Sequence, residues 1–403
     1  MKSILFVDDE VLVLEGLRSR LRRLSGKWTM EFVDSAALAI ERMQERAYDV
    51  VVTDMRMPVM DGAALLEIVS ARWPQAIRIV LSGYSEMQQT IRLVPFAHQY
   101  LSKPCEPNQL ENVIERCLLL HGLLNEPRLR AIAGRIRKLP SLPRVYSELQ
   151  AAATDETVTL GQIAKLVTAD SALAARVLQI VNSAFFRLAR RISSIEQAVC
   201  YLGFTAIRNL AMSVEVFSRW PNEGSTELDL GKLQAHAHSV AAAAGSLVAR
   251  TPFADDTLLA GLLHDIGYWV LAQECPDDLT KAIDLAASRE IPLYAAETEI
   301  LGASHAEIGA YLLGIWGLPY TVVEAVAHHH RPDRVTHAEF DVLAATVIAH
   351  SLAPTDDAAA FRRRVPPDVK IDHHYLAAVK APFDWDEALR RVSAATESEG
   401  ITP

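Results

Sequence analysis

The chain has only four cysteines in 403 residues, Cys105, Cys117, Cys200 and Cys275, and no two of them form a CxxC pair. Neither a zinc ribbon nor a disulfide framework can be built on that spacing, so a reducing cytoplasm is the expected location. Long apolar runs are also missing. The most hydrophobic stretch, "LLAGLLHDIGYWVLA", is cut by His264 and Asp265, short of the roughly 20 residues a membrane span requires, and no membrane association is expected. At the N-terminus, Met1 to Ser3 lead into "ILFV" and then acid, which is no secretory pattern. Nor is there an excess of basic charge: 40 Lys and Arg face 50 Asp and Glu, for a formal net charge of −10. That balance argues against nucleic acid as a partner, although Arg128 to Lys138 and Arg362 to Arg364 are local basic patches.

Half of the residues are hydrophobic, so the chain is globular throughout, and its length implies two or three domains with proper cores. Strand-like runs "ILFV", "MEFV", "DVVVT", "IRIVLS" and "QYLS" alternate over the first third with amphipathic segments such as "SAALAIERMQERA" and "DGAALLEIVSARW". This βα alternation predicts a five-stranded parallel sheet with helices on both faces, whose ligands sit beyond the carboxyl ends of the strands. The polar residues fall at those ends: Asp8 and Asp9 after the first strand, Asp54 after the third, Ser82 after the fourth, Lys103 after the fifth. Adjacent carboxylates repel, so "VDDE" is either an exposed acidic turn or half of a site with a counter-charge. Three carboxylates converging at one sheet edge suit a hard cation such as Mg²⁺, with Lys103 and Ser82 completing a pocket for phosphoryl charge.

The motifs "VDDE", "VVTDMRMPVMDG", "LSGYSE" and "YLSKPCEP" resemble the receiver domain of two-component response regulators, an α/β, flavodoxin-like fold, over residues 1–122. The resemblance implies that Asp54 accepts a phosphoryl group from a cognate sensor histidine kinase. It further implies that Asp8, Asp9, Asp54 and the backbone carbonyl of Arg56 hold Mg²⁺. Ser82 stands at the family's switch hydroxyl and Tyr100 at its rotating aromatic. Residues 123–139 read as a linker helix. The apolar positions Leu110, Val113, Cys117, Leu120 and Leu124 suit either the receiver's own packing face or a coiled-coil seam in a homodimer.

Past the prolines of "LPSLP" the strand signal disappears, and residues 140–395 read as an all-α domain rich in Ala and Leu. Histidines recur on its apolar helices in "QAHAHSVAAAAG", "LLHDIG", "GASHAEIG", "AVAHHHRPD" and "VIAHSLA". Buried imidazoles need metal or hydrogen-bond partners, and His beside Asp suits Mn, Fe or Zn. His238, His264, Asp265, His305, His329 and His330 follow the order of the HD superfamily of metal-dependent phosphohydrolases, whereas "LPSLPRVYSELQAAA", "IAKLVTADSALAARVLQIVNSAFF" and "ISSIEQAVCYLGFTAIRNLAMS" resemble the HD-related output domain, HDOD. Three departures from the hydrolytic pattern favour the second: His350 where a final aspartate is expected, Tyr268 where lysine usually follows "HDIG", and Arg331 after the histidine pair. The expected protein is a response regulator that signals through a non-catalytic HDOD domain, with a vestigial metal site and an unidentified downstream protein partner. The alternative is a metal-dependent phosphodiesterase acting on a cyclic dinucleotide or other nucleotide.

Overall fold

The computed structural model describes residues 2–82, 96–103, 107–120, 127–136, 139–141, 148, 152, 158–182, 191–212, 217–219, 228–248, 251–335, 339–353, 371 and 373–398. The chain divides into two compact units. One is Met1–Lys138 with Gln179–Arg191 and Gly314–Gly317, and the other is Leu139–Leu178, Ile192–Leu313 and Leu318–Pro403.

In the first unit, β1 (Lys2–Val7), β2 (Trp28–Val33), β3 (Val50–Asp54), β4 (Ile77–Ser82) and β5 (Gln99–Ser102) form a sheet of order β2-β1-β3-β4-β5. All four pairings are parallel. Successive side chains leave a strand on opposite faces, so an apolar run buried on both sides feeds two cores. Ile4, Phe6, Val50, Val52, Ile77 and Ile79 enter one, and Leu5, Val7, Val51 and Val80 enter the other. Around the sheet lie α1 (Val11–Leu21), α2 (Ala36–Glu45), α3 (Gly62–Arg72) and α4 (Pro107–Leu120), followed by α5 (Pro127–Arg135). Asp61 caps α3 by accepting from the Ala64 N–H at 2.8 Å. Of the two readings of the α4 stripe, the packing face is the one observed: Leu110, Val113 and Cys117 lie in the same core as Ile4 and Phe6. The Leu120 side chain and Leu124 lie outside the described residues.

The second unit is helical: α6 (Leu160–Thr168), α7 (Ser171–Val181), α8 (Ile195–Met212), α9 (Leu230–Leu247), α10 (Ala254–Leu263), α11 (Ile266–Glu274), α12 (Pro276–Arg289), α13 (Leu293–Leu301), α14 (His305–Ile315), α15 (Tyr320–His328), α16 (Val342–Leu352), α17 (His373–Ala378) and α18 (Trp385–Ser398). One correction to the all-helical expectation is a parallel pair of short strands, β6 (Leu139–Ser141) and β7 (Phe217–Arg219). Three-residue strands are too short to leave a periodic signal, and one of them contains Pro140. No helix among the described residues is long and apolar enough to cross a membrane.

Candidate phosphoacceptor pocket and buried histidine cluster

Strand register builds the first site. Pairing Val7 with Thr53 and Asp54 with Leu81 brings Asp8 and Asp54 to one edge, where Lys103 arrives directly after β5. The Lys103 Nζ lies 2.7 Å from Asp8 Oδ2 and also pairs with Asp54. Asp8 Oδ1 accepts from the Glu10 N–H at 3.0 Å, and Asp54 Oδ2 accepts from the Arg56 N–H at 2.8 Å. Both carboxylates are buried, while Asp9 is exposed beside them. Burial pushes Asp54 above the ordinary carboxylate range despite the opposing pull of Lys103. Burial pulls Lys103 down, but its bonds to Asp54 and Asp8 outweigh that and hold the ammonium above its usual value. Two buried carboxylates against one ammonium leave residual negative charge, the donor set a hard cation takes. Ser82 and Tyr100 lie on β4 and β5, with their side chains outside the described residues.

The second site gathers residues from six helices and the turns that flank them. His264 follows α10 and Asp265 precedes α11; His305 opens α14; His329 and His330 follow α15; His350 lies in the last turn of α16; His236 is on α9. Asp265 is the hub. Its Oδ2 is 3.1 Å from His264 Nε2 and 3.9 Å from His236 Nε2. Its Oδ1 is 3.4 Å from His305 Nε2 and 3.8 Å from His329 Nε2, and His305 and His330 bring their Nε2 atoms within 2.9 Å of each other. Ligand atoms of Asp265, His305, His329 and His330 fall within 4.8 Å of one another, as do those of His236, His264 and His350.

The outer ring nitrogens explain the aim. His264 Nδ1–H donates to Gly261 O at 2.7 Å and His329 Nδ1–H to Val326 O at 2.8 Å. Since carbonyls only accept, Nδ1 carries the proton in both rings and Nε2 turns inward. His264 Nε2, His329 Nε2 and both Asp265 oxygens are buried and make no hydrogen bond. Buried polar atoms left so are costly, and a transition-metal ion satisfies such a set. Although burial pushes Asp265 up, His264 and His305 hold it well below its ordinary range. Burial and the neighbouring imidazoles push His329 well down. His305 is pulled down by burial but raised to about 10 by Glu297 and Asp265. Close helix contact makes the cluster compact: a Cβ on Gly267 would stand 2.0 Å from His305 O.

Two residues differ from the sequence reading. His238 is not in the cluster; its Nε2 lies 3.1 Å from Thr168 O. Positions two apart on a helix face nearly opposite ways, and His236 is the one on the buried stripe with Leu233, Val240, Ala243 and Leu247. Glu297 was missed. Fully buried, it accepts from both the His305 N–H and Nδ1–H at 2.8 Å; its signal was an acid inside the apolar helical run "LYAAETEIL". Tyr268 lays its ring on His305, centroids 3.9 Å apart, and Arg331 turns away to Asp333 at 3.0 Å.

Both parts of the chain are similar to known families. Residues 4–115 match the response regulator receiver domain and residues 139–332 match the HDOD domain. An uncharacterized protein of Treponema pallidum is 33% identical over 222 residues, 54% of this chain and 42% of that protein. The hydrogenase transcriptional regulatory protein HoxA of Bradyrhizobium diazoefficiens is 32% identical over 149 residues, 35% of this chain and 30% of that protein. The chain thus spans less than half the length of these curated relatives. Among solved structures, the MmoQ response regulator of Methylococcus capsulatus is 21% identical, with a TM-score of 0.48 over 64% of this chain and 98% of that one. The chain thus carries a response regulator receiver domain followed by an HDOD domain.

Proposed function

We propose that Asp54 accepts a phosphoryl group from a histidine kinase and that the HDOD domain passes the resulting state on by binding a protein partner, without catalysis. The observation that carries this reading is Lys103 held between Asp8 and Asp54. The Asp54 oxygen forms a P–O bond as the donor's P–N bond breaks, and the imidazole leaves to the kinase. Lys103 then follows the new negative charge, and Ser82 and Tyr100 respond to it. Asp8, Asp9, Asp54 and the carbonyl of Arg56 would hold Mg²⁺, which when bound neutralises the phosphoryl oxygens.

In the HDOD domain, His236, His264, Asp265, His305, His329, His330 and His350 would hold Mn, Fe or Zn in a structural or regulatory role. The inward, unbonded nitrogens of His264 and His329 support a metal; the Tyr268 ring against His305 supports a closed site rather than a hydrolytic one. Phosphorylation by acetyl phosphate with Mg²⁺, followed by intact mass, tests the first half: wild type gains one phosphoryl group and Asp54→Asn gains none. Metal analysis with a cyclic di-GMP turnover assay tests the second. Metal without turnover is expected, and turnover lost in the His264→Ala, Asp265→Ala double variant would make the protein a phosphodiesterase.

A further inference from the structure

Glu297 lies in the middle of α13 and is fully buried, as is His305 at the start of α14. The turn between these helices, where Gly302 takes a φ of 86°, folds the chain back and brings the acid against the imidazole. One oxygen does all the bonding. Glu297 Oε2 accepts the His305 backbone N–H and its Nδ1–H, both at 2.8 Å, while Oε1 is buried without a hydrogen bond among the described residues. An ionised carboxylate only accepts, so Nδ1 carries the ring proton and Nε2 faces Asp265 Oδ1 at 3.4 Å.

His264 and His329 are aimed in the same way, but their Nδ1–H groups donate to neutral carbonyls three residues back, Gly261 O and Val326 O. His305 differs from both in having a charged acceptor that comes from another helix. A carboxylate behind a ligating imidazole fixes the ring and makes the opposite nitrogen a stronger donor. Charge points the same way. Neutral imidazoles make up the rest of the clustered ligands, so Asp265 supplies their one negative charge. A divalent ion held by that set leaves one positive charge buried, and uncompensated buried charge is costly. The Glu297 carboxylate offsets it from behind the His305 ring.

We propose that Glu297 is a positioning residue of the histidine cluster: it holds His305 with Nε2 inward and supplies the second negative charge that a buried divalent ion needs. This role rests on the metal reading above. Titration of the metal-free full chain with Zn²⁺ against a chromophoric chelator, and with Co²⁺ followed by visible absorption, tests it. Glu297→Gln keeps both hydrogen bonds through its amide oxygen and removes only the charge. It should weaken Zn²⁺ binding about tenfold to a hundredfold at unchanged stoichiometry and shift the Co²⁺ absorption bands, and Glu297→Ala should weaken binding further. Wild-type affinity with a wild-type Co²⁺ spectrum in Glu297→Gln overturns the role and leaves the metal reading standing. Binding of neither ion by the wild type removes both together. Should Glu297→Gln fail to fold, nitrogen NMR of the Zn²⁺-loaded wild type carries the test, with the His305 ring identified by its loss in His305→Gln. A proton on Nδ1 and metal on Nε2 is expected there, and metal on Nδ1 overturns the proposal.

Discussion

Asp54 is pushed up by burial in the fold, which has a consequence for stability. A carboxyl whose folded pKa exceeds its unfolded value binds more protons in the folded state, so its contribution is present below the unfolded value near 3.9 and is lost as pH rises through the folded one. At neutral pH ionised Asp54 therefore weighs against the fold. Asp54→Asn, which cannot ionise, should melt at a higher temperature than wild type at pH 7, and thermal scans should show that advantage shrinking toward pH 4. An advantage that grows on acidification would contradict the assigned direction. Cysteine chemistry follows the same burial logic. The Cys117 thiol is pushed up to about 12 and Cys275 is buried, whereas Cys200 is exposed. Thiol labelling of the native protein at pH 8, mapped by peptide mass spectrometry, should modify Cys200 and spare Cys117 and Cys275 until denaturant is added.

Elements reach the sites by close contact, and Gly267 is where that contact is tightest in the histidine cluster. A methyl group there would meet the carbonyl of His305 and push α11 away from α14, at a cost of about 1–3 kcal/mol for overpacking. Gly267→Ala should lower the melting temperature of the HDOD domain and weaken any metal binding measured by titration, while Asp54 phosphorylation proceeds as in wild type. Element identity was readable from the sequence because the sheet's apolar runs are short and the helices amphipathic. What escaped were features that depend on a partner far along the chain: β6 and β7, which exist only as a pair, and the choice between His236 and His238 on one helix.

At the scale of the molecule, each unit has its own core: two clusters on the sheet's faces and one among helices such as α9, α16 and α18. Domains with separate cores generally unfold in separate steps. Calorimetry should resolve two transitions, and beryllofluoride with Mg²⁺ should raise only the one that Asp54→Asn also alters, because a ligand stabilises the fold that binds it. A chelator that removes metal from the histidine cluster should lower the other. If both transitions move together under either treatment, the units share one cooperative fold.

The sequence by itself determined the two-part organisation, the parallel sheet implied by the βα alternation, and the chemistry at the sheet edge. Strand ends are local events, and "VDDE", "VVTD" and "YLSKP" each deliver their polar residue at one. In a parallel sheet those ends must meet, so Asp8, Asp54 and Lys103 were legible before any fold was known. The histidine cluster was legible only as a list of residues. Which imidazoles converge depends on the rotation of each helix about its axis, and that rotation is set by side-chain packing between helices distant in sequence. Packing turned His236 inward and His238 toward Thr168. It also placed Glu297 behind His305, a pairing that no local pattern connects.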